Sequence, residues 1–168
     1  TIDLDDSVFA QVHIIAPMEV IITETTVDVD TESEDIDTSD IGIITDHLVE
    51  ARFNYTITNH LPLGVDFMLY LDGDSLQAQD STTAQFVISG LSVDAAPTSN
   101  SLAIADTVST GYILIDSVDV QVLKNDTLFI APEILLHGTN GNPVRLSGQD
   151  YISITGYITV EYLFDGDF

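Results

Sequence analysis

Apolar and polar residues alternate with a period of two along much of the chain. In residues 49–57 every odd position is apolar, and the even positions carry Glu50, Arg52, Asn54 and Thr56. The odd positions of residues 63–71 and the even positions of residues 152–164 are apolar in the same way. Successive side chains of a strand point to opposite faces, so each segment is predicted to be a half-buried antiparallel strand.

Shorter apolar runs predict the remaining strands. A proline-containing loop at residues 59–62 favours a hairpin between the first two strands. Asn140-Gly141 favours a second hairpin, joining residues 134–136 to residues 143–146. Gly156, inside the last strand, indicates a bulge or bend. Further strands are predicted at residues 8–15, 19–29, 41–45, 85–89, 128–130 and 112–122 (with a bulge near Asp116), and residues 102–105 suit a short strand or a helical turn.

These elements predict a single all-β domain over residues 1–168. About ten strands with short turns and little or no helix are typical of an antiparallel β-sandwich of Greek-key or jelly-roll type. No run of about 18 apolar residues occurs, which speaks against a membrane-spanning helix. The chain begins at Thr1, which fits either a mature exported protein or a trimmed chain.

Composition narrows the possible functions. The 168 residues include 28 Asp and Glu but only 3 Lys and Arg, giving a formal net charge of −25, and there is no Cys and no Trp. A nucleic-acid-binding protein needs a basic surface to contact phosphates, so that class is excluded. Disulfides and thiolate metal sites are impossible without Cys.

Half of the acidic residues lie in the first 50 positions, with the densest segment at residues 24–40. Ca²⁺ prefers several carboxylate oxygens, so a Ca²⁺ site is one hypothesis. Ser33 and Ser39 stand where an EF-hand requires Gly and Glu, which leaves an irregular site or simply a solvated acidic loop or strand edge. The candidate Ca²⁺ ligands are Asp28, Asp30, Glu32, Asp72 and Asp74.

The acidic, Lys-poor composition also resembles that of proteins from halophilic organisms. A charge of −25 on a small domain opposes the compact state in dilute buffer. Molar salt shortens the Debye length to about 3 Å and removes most of that repulsion. Salt screening and bound Ca²⁺ therefore remain two explanations of the same surface.

No motif in the sequence predicts catalysis. A Gly-x-Ser-x-Gly elbow and a phosphate-binding glycine loop are both missing, and the four histidines (His13, His47, His60 and His137) have no motif context. Pairs of carboxylates suited to glycoside hydrolysis are uninformative among 28 acids. We therefore expect a protein that is not an enzyme.

Carbohydrate binding is the principal alternative function, because β-sandwich modules bind glycans through exposed aromatic rings, often with Ca²⁺. Trp is missing, but Tyr70, Tyr151 and Tyr157 lie opposite the apolar face of their strands and are candidates for exposure. The alternative is that the second face of the sheet is itself covered, or that these rings form cross-strand pairs. Asn54-Tyr55-Thr56 and Asn125-Asp126-Thr127 are N-glycosylation sequons, which have a role only in an exported protein.

The sequence thus favours a structural or assembly domain of an extracellular or cell-surface filament, sheath, layer or adhesin. A Ca²⁺-assisted carbohydrate-binding module and a capsid-type jelly roll are the alternatives. Self-association is expected through strand edges. Residues 2–15, which end in a strand apolar on both faces, are a candidate for donation to a neighbouring subunit.

Overall fold

The computed structural model describes residues 18–35 and 48–162. The strands predicted at residues 8–15 and 41–45 and the end of the last predicted strand lie outside these ranges. Within them, the chain forms antiparallel strands and two very short helices. In chain order these are β1 (Met18–Val20), β2 (Thr25–Asp28), β3 (Glu32–Asp35), β4 (Leu48–Asn59), β5 (Val65–Asp72), α1 (Ser75–Ala78), β6 (Phe86–Val93), β7 (Thr98–Ser99), β8 (Leu102–Ala103), β9 (Thr107–Ile115), a 3-10 helix (Asp119–Lys124), β10 (Thr127–Leu136), β11 (Val144–Leu146) and β12 (Ile152–Tyr162).

Two sheets enclose the core. The large sheet has the order β2-β10-β5-β6, with β3 also paired to β10, and the three-stranded sheet has the order β12-β4-β9. Two further pairs, β1 with β11 and β7 with β8, form small ribbons. The all-β, antiparallel fold with minimal helix predicted from the sequence is confirmed.

The core consists of the inward faces of both sheets. Ile57 of β4, Val65 of β5 and Ile88 and Leu91 of β6 are almost fully buried. Burying a side chain of this size stabilises the fold by about 1.5–3 kcal/mol relative to leaving it exposed. The odd-numbered faces predicted for β4 and β5 therefore meet each other across the sandwich.

The loop after β4 carries the chain from one sheet to the other, so the predicted hairpin between β4 and β5 is wrong. β4 pairs with β9 and β12, whereas β5 pairs with β6 and β10. The Asn59 side chain organises this crossing. Its amide nitrogen donates to the carbonyls of Leu63 (2.7 Å) and Asp94 (2.9 Å), and its oxygen accepts the Leu61 N–H (2.8 Å).

The turn predicted at Asn140-Gly141 is present, but it does not close a hairpin. Both residues have positive φ (53° and 80°), and the Asn142 N–H donates to the Thr139 carbonyl at 3.0 Å. The chain leaves the large sheet before this turn, because the Thr139 N–H donates to the Ile22 carbonyl (2.8 Å). β11 consequently pairs with β1 and not with β10.

The strand predicted at residues 19–29 is divided into two at Ile22, where it contacts Thr139. Residues 18–20 form β1 and pair with β11, while residues 25–28 form β2 and pair with β10. The Ile22 N–H donates to the Thr139 hydroxyl at 3.2 Å between them. One apolar run therefore serves two sheets.

The strand predicted through Asp116 ends there, and residues 118–122 are not a continuation of it. The Asp116 carboxylate accepts the backbone N–H groups of Val118 (2.7 Å) and Asp119 (2.8 Å), which starts the 3-10 helix. Val120 and Val122, which belong to this helix, are its buried residues. The hydrogen bonds of Asp116 therefore favour a helical turn here, although the sequence alternates as a strand would.

The two apolar runs at residues 128–130 and 134–136 belong to one strand, β10, which contains Pro132 between them. Proline has no N–H to donate to a ladder. β2 pairs with β10 at Glu133–Leu136 and β3 pairs with it at Thr127–Ile130, so the partner strand is interrupted opposite Ala131 and Pro132. The described strands of the acidic segment, β2 and β3, therefore lie at the outer edge of the large sheet.

Gly156 does not mark a bulge. The pairing of β12 with β4 continues unbroken past it, and the register shifts only between Glu161 and Tyr162. A Cβ at Gly156 would lie 2.4 Å from the Phe53 ring. Glycine is needed here because an aromatic ring of the neighbouring strand lies across the backbone.

Candidate functional surface

The outer face of the three-stranded sheet is the most distinctive surface of the described residues. Even positions of β4 point outward and are flanked in register by outward residues of β9 and β12. The resulting rows across the sheet are Val108–Thr58–Ser153, Thr110–Thr56–Thr155, Tyr112–Asn54–Tyr157 and Leu114–Arg52–Thr159.

Two tyrosines stand on either side of Asn54 in this face. Tyr112 and Tyr157 are 56% and 65% exposed. Together with the threonine row they line a shallow groove of about 420 Å³. The Asn54 amide donates to the Thr159 hydroxyl at 3.1 Å, which fixes the side chain in the groove floor.

Arg52 borders the groove at one end. Its guanidinium carbon lies 4.9 Å from the centroid of the Tyr112 ring, and its Nε pairs with the Glu50 carboxylate. The hydrogen bond to Glu50, with the negative charge of that group, raises the pKa of Arg52. This cation–π contact holds the Tyr112 ring over the sheet.

The three tyrosines that were candidates for exposure differ in their surroundings. Tyr157 and Tyr151 are exposed, the latter by 45%. Tyr70 is buried, because α1 covers the second face of the large sheet and packs Ala78 against it. Tyr112, which the sequence analysis did not single out, completes the aromatic pair. Its parity in β9, opposite to that of Ile113 and Ile115, was the available signal.

The edges of the three-stranded sheet form a second candidate surface. Among the described residues, β9 and β12 each have a single paired neighbour, β4. β9 contains no charged residue in nine positions, and β12 contains only Glu161 in eleven. β3, at the edge of the large sheet, instead carries three acidic residues in four. Charged edges resist pairing with another chain, and uncharged ones permit it.

Three side chains join the strand ends at one end of the three-stranded sheet. His60 Nδ1 lies 2.8 Å from the Asp106 carboxylate, and the His60 ring stacks on Tyr151 with centroids 5.6 Å apart. A hydrogen bond to Asp106 raises the pKa of the Tyr151 hydroxyl. His137 makes a comparable 2.9 Å contact with Asp66. Both described histidines therefore pair with aspartates, and His13 and His47 lie outside the described residues.

The candidate Ca²⁺ ligands do not share one place in the fold. Glu32 lies in β3 and Asp72 in β5, on opposite sides of β10. The buried Asp72 carboxylate accepts the N–H groups of Asp74 and Gln85, both at 2.9 Å, and Asp74 accepts the Leu76 N–H at the start of α1. Asp28 belongs to β2, and the exposed Asp30 follows it. No group of three or more His, Asp or Glu suited to a metal ion occurs within the described ranges.

The two sequons differ in their surroundings. Asn54 is half-buried in the central strand of the three-stranded sheet. The Asn125 amide donates to the Val122 carbonyl (2.8 Å) and to the Gln85 side chain (3.2 Å), where it ends the 3-10 helix. No helix within the described ranges has the length and apolar character to cross a membrane.

Comparison with protein-family models and with curated proteins yields no match. Among solved structures, the chain is similar to a chain of infectious bursal disease virus, Gx strain, with a TM-score of 0.40 and 14% identity over 90% of this chain and 33% of that one. It is also similar to the VP2 subviral particle of infectious bursal disease virus, with a TM-score of 0.39 and 13% identity over 84% of this chain and 31% of that one. The chain spans about a third of the length of these proteins, and the likeness concerns the β fold alone.

Proposed function

We propose that this chain is a non-enzymatic assembly domain whose copies associate through the edges of the three-stranded sheet. The observation that carries the proposal is the near absence of charge along both edges of this sheet, β9 and β12, in a chain of net charge −25. In the large sheet, the edge strand β3 is strongly acidic, and the uncharged edge strand β6 is interrupted by a shift in its register with β5. An edge strand of nine or eleven residues with no more than one charge offers a row of N–H and C=O groups for ladder pairing.

The direction of the strands sets the type of assembly. β9 and β12 are both antiparallel to β4 and therefore run parallel to each other. A second copy displaced sideways would place its β12 against the first copy's β9 and extend the sheet. Such a head-to-tail contact does not close on itself and produces an open row of subunits. A filament, sheath, layer or adhesin subunit fits this geometry, and a capsid-type shell is the variant in which the row curves.

The charge of the chain makes the proposed assembly dependent on cations. Each added copy brings a further −25, and the repulsion between copies falls as salt or Ca²⁺ screens it. Extracellular modules bind Ca²⁺ with dissociation constants of about 10⁻⁴–10⁻³ M, so the proposed extracellular or cell-surface location suits an assembly that depends on such cations. The Ca²⁺ ligands predicted from the sequence remain a separate prediction.

The test adds negative charge to both edges. The double variant Val108→Glu with Ser153→Glu places one carboxylate on the exposed face of each edge strand. Gln77→Glu with Gln149→Glu adds the same charge at exposed sites in α1 and in the turn before β12. Sedimentation and negative-stain imaging in molar NaCl, and again in millimolar Ca²⁺, should show polymers for the wild type and for the charge-matched control. The edge variant should stay monomeric with an unchanged circular dichroism spectrum.

The proposal is overturned if the wild type is monomeric or only dimeric under all these conditions, or if the edge variant polymerises as readily as the control. Strand donation by residues 2–15, which lie outside the described ranges, is a separable part of it. Deletion of residues 1–15 should abolish polymers if donation occurs. Polymers that persist after the deletion would refute donation and leave direct pairing of β9 with β12.

A further inference from the structure

The groove between Tyr112 and Tyr157 has the chemistry of a sugar-binding surface. We propose that it binds a neutral oligosaccharide through these two rings, without a metal ion. The inference does not depend on the assembly proposal, because pairing at the edges leaves the outer face of the sheet open.

The spacing of the rings suits a chain of sugars. Tyr112 and Tyr157 are two strands apart in one row, which separates them by about 10 Å at the usual strand spacing. Exposed tyrosines offer rigid apolar faces, and each carries a hydroxyl that hydrogen-bonds at its edge. An oligosaccharide has the matching combination of C–H faces and hydroxyl rims.

The floor of the groove supplies hydrogen-bonding groups. Asn54 lies between the two rings, and the neighbouring row consists of Thr110, Thr56 and Thr155. Specific ligand sites combine aromatic walls with a few fixed polar groups in this way. Asn54 is fixed by its hydrogen bond to Thr159, and Tyr112 is held by Arg52.

Charge selects against anionic ligands. The two rows that line the groove contain no charged residue, and Arg52 beside them is paired with Glu50. The chain as a whole has a net charge of −25, so a phosphate, sulfate or uronate would be repelled at long range. A neutral glycan avoids this penalty.

A second copy of the chain fits this face less well than a glycan does. The central part of a protein interface is usually apolar, with aromatic side chains at its middle. Here the central strand presents Thr58, Thr56, Asn54 and Arg52, and the apolar residues stand at the sides. Leu114, 57% exposed and one row from Tyr112, distinguishes the two occupants, because a protein partner would bury it and a sugar in the groove would not.

Affinity electrophoresis through gels containing a neutral glucan, mannan, xylan or galactan, or an anionic polyuronate, tests the proposal. At least one neutral polysaccharide should retard the wild type, in EDTA as well as in Ca²⁺, and the polyuronate should not. Tyr157→Ala and Tyr112→Ala should each weaken the retardation about tenfold. Leu114→Ala, which lies outside the groove, should change it by less than about threefold.

Three results would overturn the proposal: no retardation by any neutral polysaccharide, equal retardation of the Tyr112→Ala/Tyr157→Ala double variant, or retardation that EDTA abolishes. Loss of self-association in Leu114→Ala, together with no retardation of the wild type, would assign the face to a second copy. Circular dichroism on every variant confirms that the fold is retained, which is expected because both rings are exposed.

Discussion

Asn59 provides the sharpest test of what holds the two sheets together. Its side chain is fully buried and makes three hydrogen bonds to the backbone, to Leu61, Leu63 and Asp94. Asn59→Ala removes all three and leaves backbone groups without partners at the crossing from β4 to β5. A hydrogen bond contributes about 0.5–1.5 kcal/mol net, and an unsatisfied buried group costs about 1–3 kcal/mol. We expect the free energy of unfolding to fall by about 3–4 kcal/mol, which lowers the Tm by about 10 °C in a chain of this size.

Urea titration followed by far-UV circular dichroism, at one fixed salt concentration, measures this change. Asn142→Ala is the control, since Asn142 is exposed and its side chain donates one hydrogen bond, of 3.2 Å, to the Thr139 carbonyl. It should alter stability by less than about 0.5 kcal/mol. Asn59→Asp retains the shape but cannot donate while ionised, so its stability should recover as the pH falls and the buried carboxyl is protonated. A loss below about 1 kcal/mol in Asn59→Ala would refute the assigned role.

Three other changes follow from the structure. Gly156→Ala should destabilise the fold by about 1–3 kcal/mol, because its Cβ would lie 2.4 Å from the Phe53 ring, whereas Gly148→Ala, with open space around it, should change little; equal urea midpoints would contradict this. Burial, with the negative charge of Glu133, raises the pKa of Tyr70, so its stabilising contribution is complete below about pH 10 and is lost as the pH rises through the raised value. Tyr70→Phe should therefore flatten the alkaline fall in stability, and an unchanged slope in urea titrations from pH 8 to 11 would argue against it. The midpoint of thermal unfolding should be lower in EDTA than in millimolar Ca²⁺ or molar NaCl, because bound or screening cations reduce the repulsion between carboxylates. Three coincident midpoints would show that the acidic surface is merely solvated.

The sequence predicted the strands whose burial is one-sided and local. β4 and β12 alternate because one face meets the core, and their parity identified the inward residues, whereas β5 also buries Tyr70 and Asp72 on its other face. Residues 118–122 alternate as well, yet they form a 3-10 helix. There Asp116 supplies the hydrogen bonds that a neighbouring strand would otherwise provide. Alternation alone does not separate these two cases.

The alternation of apolar and polar residues does not predict which distant segments pair with each other. The Asn140-Gly141 turn was recognisable from its residues, but its flanking strands take their partners from residues 18–35 and 65–72. Asn59 has no sequence signal, because its role depends on the carbonyl of Asp94 in a different part of the chain. The sequence predicted only part of the groove. Tyr157 was a candidate, but its alignment with Asn54 and Tyr112 follows only from the register of three strands.

The position of β12 has a consequence for the order of folding. The hydrogen bond from the Thr155 hydroxyl to the Thr56 carbonyl joins residues 99 positions apart. β4 can therefore pair with its second neighbour, β12, only after about a hundred further residues have been synthesised. Non-local pairing of this kind makes folding slow, because the loop must close before the contact stabilises anything. During synthesis, β4 and β9 would be complete while one side of β4 is still open to other nascent chains. Rapid emergence of β12, or a chaperone that covers β4 until then, would determine how much of the protein reaches its native state.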